Sequence, residues 1–171
     1  MTGHSVISGA SHAGLACAEQ LRTLGFSGAI TLVDRQSGAP LERPPLSKSY
    51  LGSTPEVDDK FLLRRPEGYD KFQVTMIDGK AVERIDSELH QIYLADGQSL
   101  NYDKLILATG AVPRILPQVA GLENVHVLRS PDDAAALRRA MQTANTAVVI
   151  GGGYIGLEAA ASFRKAGLTV H

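Results

Sequence analysis

The sequence predicts an α/β protein built on parallel strands: a β-α-β unit at the start, a small antiparallel meander in the middle and the opening of a second β-α-β unit at the end. Three observations carry this. The order strand, glycine turn, helix, glycine, strand is written twice, in "VISGASHAGLACAEQLRTLGFSGAITLVD" and again in "VVIGGGYIGLEAAASFRKAGLTVH". The strands of both copies are short continuous apolar runs, as expected of strands buried on both faces. Between the copies, "QIYLADGQSL" alternates in polarity around Asp96-Gly97, the turn signal of an antiparallel hairpin.

Taken in order, Val6 and Ile7 open the first strand, and Leu15, Ala18, Leu21 and Leu24 recur at helical spacing until Gly25 supplies a C-terminal stop. Ala29 to Val33 is the second buried strand, ending at Asp34. From Arg35 to about Arg65 the pattern is irregular, with four prolines from Pro40 to Pro55, and predicts an excursion over the surface with at most a short helix. "AVERID" and "QIYLADGQSL" form the meander, which feeds a buried strand at Leu105 to Ala108. "VPRILPQVAGLENVHVLRS" is a proline-punctuated connector. Ser130-Pro131 then supply a cap and a first-turn proline, and Asp133 completes a capping box for a helix through Met141. Asp132 and Asp133 are thereby read as helix-start charge and not as a catalytic carboxylate pair.

Composition sets the outer limits. With 44% hydrophobic and 20% charged residues the chain is of globular type, and 17 basic against 18 acidic residues leave a formal charge of -1. No global field points to nucleic acid or to an anionic membrane. The start, "MTGHSVISGASHAGLA", has no basic and apolar leader pattern, and no apolar run approaches the thickness of a bilayer, so a cytoplasmic location is expected. Cys17 is the only cysteine, which excludes an internal disulfide, a CxxC pair and a thiolate metal cluster within these residues; no metal site is expected. Cys17 itself reads as a small buried hydrophobe on the inner face of the first helix.

The glycine turns carry the chemistry. In a strand-turn-helix of this kind the first glycine makes the tight turn, the second lets a pyrophosphate approach bare backbone, and the third lets helix and strand pack closely. The helix start then offers unpaired N–H groups and a partial positive charge to the phosphates. Gly151, Gly153 and Gly156 satisfy all three positions. In the first copy Gly9 and Gly14 hold theirs, while Ser11 occupies the second, where its side chain crowds the phosphate or its hydroxyl donates to it. Asp34, at the end of the second strand, is placed to accept from a ribose hydroxyl; a strand-end aspartate starting a turn is the plainer alternative. Two such turns imply two dinucleotides, for which a nicotinamide cofactor and a flavin are the natural pair.

"GASHAG", "ERPPLSKSYL", "YDKLILATGAVPR" and "VVIGGGYIGLEAA", in that order, resemble the FAD-dependent pyridine nucleotide oxidoreductases, and "RPPLSK" is most similar to the ferredoxin reductases of oxygenase systems, the putidaredoxin and rubredoxin reductase type. The resemblance runs through all 171 residues. It implies a Rossmann-like FAD-binding domain over 1–112, a connector and helix over 113–145, and the start of a second Rossmann-like, NAD(P)-binding domain over 146–171. Gly9, Ser11, Ala13 and Gly14 would line the FAD pyrophosphate and Asp34 the adenosine ribose. Arg43 and Lys48 would lie along the flavin, Lys48 near its redox edge. Val82 would meet the adenine through its backbone, and Thr109, Gly110 and Arg129 would complete the wall. The second turn would take NADH or NADPH, with Ile155 and Glu158 facing the nicotinamide.

A buried Lys48–Glu158 ion pair beside the flavin is expected from this, with both residues as the catalytic pair. The implied reaction passes a hydride from NADH to FAD and then single electrons to a ferredoxin or rubredoxin-like carrier; monodehydroascorbate reduction or service to a nitrite reductase are the related alternatives. Relatives of this type are about twice as long or more, so the chain is expected to be the N-terminal part of a longer protein. Alone, it is either a weak reductase or a nucleotide-binding remnant without turnover, exposing a sheet edge and apolar helix faces.

Overall fold

The computed structural model describes residues 3–52 and 59–171, and places them in two compact units, Met1–Leu41 with Leu62–Gly110 and Glu42–Phe61 with Ala111–His171. Pro55 of the proline-rich stretch lies outside the described residues.

In the first unit, β1 (His4–Ser8), α1 (His12–Thr23) and β2 (Ala29–Val33) form the expected β-α-β, with β1 and β2 paired in parallel from His4↔Ala29 to Ser8↔Val33. α1 ends where Gly25 takes φ 82°, its N–H donating to the Arg22 carbonyl and that of Phe26 to the Leu21 carbonyl. This is a glycine C-cap, and it satisfies carbonyls that the helix end would leave bare. The Arg22 guanidinium donates to the carbonyls of Phe26, Gly28, Phe72 and Gln73, tying the helix end to the approaches of two strands. A short helix α2 (Pro66–Lys71) and the strand β3 (Thr75–Ile77) follow. β4 (Val82–Asp86), β5 (Gln91–Leu94) and β6 (Ser99–Asn101) make the antiparallel meander, with Gly97 at φ 85° in the expected Asp-Gly turn. β7 (Lys104–Leu107) then returns to the parallel sheet, whose order is β3-β2-β1-β7.

The period of two along each strand sorts its residues between two layers. Ile7, Ile30 and Leu32 pack with Leu15 and Ala18 of α1, while Val6 and Val33 pack with Ile92 and Leu94 of the meander. Cys17 is half-buried and joins the α1 layer, a wetter position than a fully buried one. Neither α2 nor β3 is anticipated by the sequence pattern; β3 has three residues, too few to display a period, and acquires strand form by pairing Thr31 with Thr75 through Val33 with Ile77.

In the second unit a 3-10 turn at Pro44–Ser47 and another at Asp59–Phe61 accompany α3 (Pro131–Met141), β8 (Thr146–Ala147), α4 (Tyr154–Lys165) and β9 (Thr169–Val170). The capping box is formed as expected: Ser130 accepts from the Asp133 N–H, and Asp133 accepts from the Ser130 N–H. The expectation of a surface excursion is corrected. Leu46, Ser47, Tyr50, Leu51 and Phe61 are buried, and the Tyr50 and Phe61 rings meet edge-on at 5.4 Å. Apolar residues at those positions outweigh the prolines, which here shape a packed turn. β8 and β9 pair in parallel over two residues, and a further backbone bond, from the Val149 N–H to the His171 carbonyl, continues the contact, so the strand that opens the second copy is shorter than its apolar run.

Candidate functional site

The two glycine turns share one backbone conformation. Gly9 and Gly151 have φ 109° and 113°, a region that favours glycine. Ser11 and Gly153 occupy the N-cap positions of α1 and α4 with φ -86° and -75°. Any L residue adopts that φ, so Ser11 costs the turn nothing in backbone strain. The third glycines have a reason stronger than helix–strand packing: a Cβ on Gly14 would collide with the Gly9 carbonyl oxygen, and one on Gly156 with that of Gly151. Beside these, the Ile7 side chain stands 3.4 Å from the Gly14 Cβ position and Val149 3.2 Å from that of Gly156, so the strand contact is present as well. Gly153 has nothing within 4 Å of its Cβ position, which leaves the second turn open at the place where a ligand's phosphate would need bare backbone.

In the first unit, strands deliver several expected residues to one place. The Gly9 N–H donates to the Val33 carbonyl, and a Cβ on Gly9 would collide with the Ala108 carbonyl oxygen and lie 3.2 Å from the Thr109 nitrogen. β1, β2 and β7 thus end together around the turn, with Thr109 and Gly110 exposed beside it and Ala13 exposed on the first turn of α1. The Asp34 carboxylate accepts from the Gln36 N–H at 2.9 Å, the aspartate turn named as the plainer alternative, and from the Ala10 N–H inside the glycine turn at 2.7 Å. Val82 begins β4, half-buried, next to a register shift that runs to Arg84.

In the second unit, Lys48 caps the Pro44–Ser47 turn, and its Nζ lies 2.8 Å from Glu158 Oε2 on α4. The expected ion pair is therefore formed, but its burial is not: the two side chains are 51% and 31% exposed. A lysine at the end of a tight turn reaches α4 from the solvent side, where its ammonium keeps water. Ser47 also donates to Glu158 Oε2, at 2.6 Å. The Lys48 ammonium first, then the Ser47 hydroxyl, hold the Glu158 carboxyl below its ordinary value of 4.5. Arg43, at the start of the same 3-10 turn, donates to the Arg129 carbonyl at 2.8 Å, and Arg129 donates to the Ala111 carbonyl at 3.1 Å. Ile155 is exposed one turn before the Glu158 face of α4. Ser47 and Ser162 are the contact residues that the glycine motifs did not single out; the signal available was the spacing of Glu158 and Ser162, one helical turn apart.

A strand-turn-helix with a positive-φ glycine at its turn, present twice, defines a protein of repeated Rossmann-like β-α-β class. The chain belongs to the pyridine nucleotide-disulphide oxidoreductase family, which matches residues 3–171. It is similar to rhodocoxin reductase of Rhodococcus erythropolis, at 46% identity over 166 residues covering 96% of this chain and 39% of that protein. With putidaredoxin reductase CamA of Pseudomonas putida it shares 41% identity over 169 residues, covering 96% of this chain and 40% of that protein. Among solved structures, the covalent putidaredoxin reductase–putidaredoxin complex matches with TM-score 0.90 at 40% identity, over 98% of this chain and 41% of that one. The ferredoxin reductase for the CYP199A2 system of Rhodopseudomonas palustris matches with TM-score 0.91 at 37% identity, over 98% and 41% respectively. The chain thus spans about 40% of the length of the relatives it matches.

Proposed function

We propose that the chain is the nucleotide-binding part of an NAD(P)H-dependent FAD reductase that passes electrons to a ferredoxin or rubredoxin-like carrier. The observation that carries the reading is the pair of glycine turns in one backbone conformation, on a chain whose relatives include a rhodocoxin reductase and a putidaredoxin reductase. Within it, 1–112 is the flavin segment, 113–145 the connector and helix, and 146–171 the first part of the nicotinamide segment. A cytoplasmic location accompanies it; among the described residues no helix is long and apolar enough to cross a membrane.

The residues fit such ligands. The N–H groups of Gly152, Gly153 and Tyr154 have no acceptor among the described residues, and α4 directs its positive end at the same place. The first turn offers the N–H groups of His12 and Ala13 in the same way. Flavin, when bound, supplies a hydride acceptor that can release electrons singly. Gly9, Ser11, Ala13 and Gly14 would hold its pyrophosphate, Asp34 and Val82 would meet its adenosine, and Thr109, Gly110 and Arg129 would complete the wall. Arg43 and Lys48 would lie along the flavin. Gly151, Gly153 and Gly156 would hold the nicotinamide dinucleotide, with Ile155 and Glu158 toward its nicotinamide. Glu158, already ionised at neutral pH and held further below its ordinary 4.5 by Lys48, acts as an acceptor and not as an acid.

Anaerobic titration of the chain with FAD and then NADH tests the reading. Retained flavin absorbance that bleaches on NADH addition supports it, and Gly153→Val should abolish the bleaching while leaving the flavin bound. The exposure of Val148 and Ile150 favours a second reading, a nucleotide-binding part with no turnover of its own. Protein that binds either dinucleotide but never bleaches would select that second reading.

A further inference from the structure

Ser47 has a double attachment to α4. Its hydroxyl donates to Glu158 Oε2 at 2.6 Å, and its carbonyl accepts from the Ser162 hydroxyl at 2.8 Å. Glu158 and Ser162 are one helical turn apart, so the same face of α4 holds Ser47 by side chain and by backbone. Ser47 is only 5% exposed, whereas the Lys48 side chain is half exposed.

A buried hydroxyl needs an acceptor. The other oxygen within reach is the Pro44 carbonyl at 3.5 Å, the outer limit of a hydrogen bond, against a charge-assisted contact at 2.6 Å. The carboxylate wins that competition. An exposed ammonium on a four-carbon tether restrains its partner weakly, since water and rotamer freedom compete with the pair. Lys48 also divides its ammonium between Glu158 and the Pro44 carbonyl at 3.2 Å. A short hydrogen bond from a buried residue on a rigid 3-10 turn defines direction better. Both contacts fall on Oε2, and Oε1 has no partner among the described residues.

We propose that Ser47 is a positioning residue for Glu158: seated on α4 through Ser162, it saturates Oε2 together with Lys48 and leaves Oε1 as the oxygen open to an N–H donor on the ligand. The ligand half of this rests on the nicotinamide reading of Glu158; the Ser47 half does not. Lys48 is the charged group that faces Glu158 among the described residues, and α4 itself brings none to it.

The test is a titration of the Glu158 side-chain carboxyl by carbon NMR in the 171-residue chain without nucleotide, so its outcome is separate from that of the dinucleotide reading. Ser47→Ala should raise the midpoint by about half a pH unit, and Ser47→Thr, which keeps the hydroxyl, should return it to the wild-type position. Ser47→Val, with the shape of threonine and no hydroxyl, should behave as Ser47→Ala, and the Thr and Val variants decide the matter should the alanine variant not fold. An unmoved midpoint in Ser47→Val, with native amide shifts along α4, overturns the proposal. So does a Ser47→Thr midpoint displaced as far as that of Ser47→Val.

Discussion

Gly14 and Gly153 are both glycines of a phosphate turn, yet a methyl group meets opposite conditions at the two. At Gly14 it enters the backbone oxygen of Gly9, which cannot move aside as a side chain would. Gly14→Ala, and Gly156→Ala for the same reason, should lower stability by about 1–3 kcal/mol in urea unfolding, with the turn distorted. Gly153→Ala should cost at most the roughly 1 kcal/mol of a poorer N-cap, while dinucleotide affinity falls severalfold by calorimetry. The motif alone treats these positions as equals; the collision distinguishes them. Glu158 carries a second expectation at this scale. Its folded carboxyl lies below the unfolded 4.5, so the Lys48 contact contributes stability that is complete above 4.5 and is lost as pH falls through the lower folded value. Lys48→Met should therefore separate from the wild type in unfolding midpoint at about pH 6 and converge with it as the pH falls through the lowered folded value; curves that stay parallel throughout would show that the pair contributes through packing alone.

Elements written by local chemistry are legible in the residues themselves. The α3 cap needs only Ser130, Pro131 and Asp133, all within one turn, and the folded chain forms it as read. Ser130→Ala should lower stability by about 1 kcal/mol, measured as a shift in the urea midpoint. The glycine stop of α1 and the Asp96-Gly97 turn are local in the same way. Pattern does not reveal elements made by distant partners. β3 is a strand because β2 lies beside it, and the Arg22 guanidinium serves carbonyls 50 and 51 positions away. Arg22→Met leaves four carbonyls without that donor, and should weaken the first unit by about 1–3 kcal/mol, with faster amide exchange in β2 and β3 as the sign.

For the whole molecule, the second unit has the most surface out of keeping with its sequence. Val148, Ile150 and Leu157 are 70%, 71% and 61% exposed, although their apolar pattern is that of buried strand and helix faces. Large apolar side chains exposed to this extent favour association. The chain should show concentration-dependent association in sedimentation velocity and bind a fluorescent apolar dye, and a Val148→Lys/Ile150→Lys variant should reduce both; a monodisperse, dye-silent wild type would contradict this. The order of residues is enough to specify the repeated strand-turn-helix, the caps, the meander turn and, through ordered motifs, the family, because each is written by residues adjacent in the chain or at fixed spacing. It takes the folded chain to establish that the proline stretch is packed, that Asp34 bonds into the glycine turn, that the Lys48–Glu158 pair is only partly buried, and that Ser47 bonds to Glu158. Those outcomes depend on which distant groups are brought within hydrogen-bond reach, and on how much water is excluded when they meet, which no local spacing encodes.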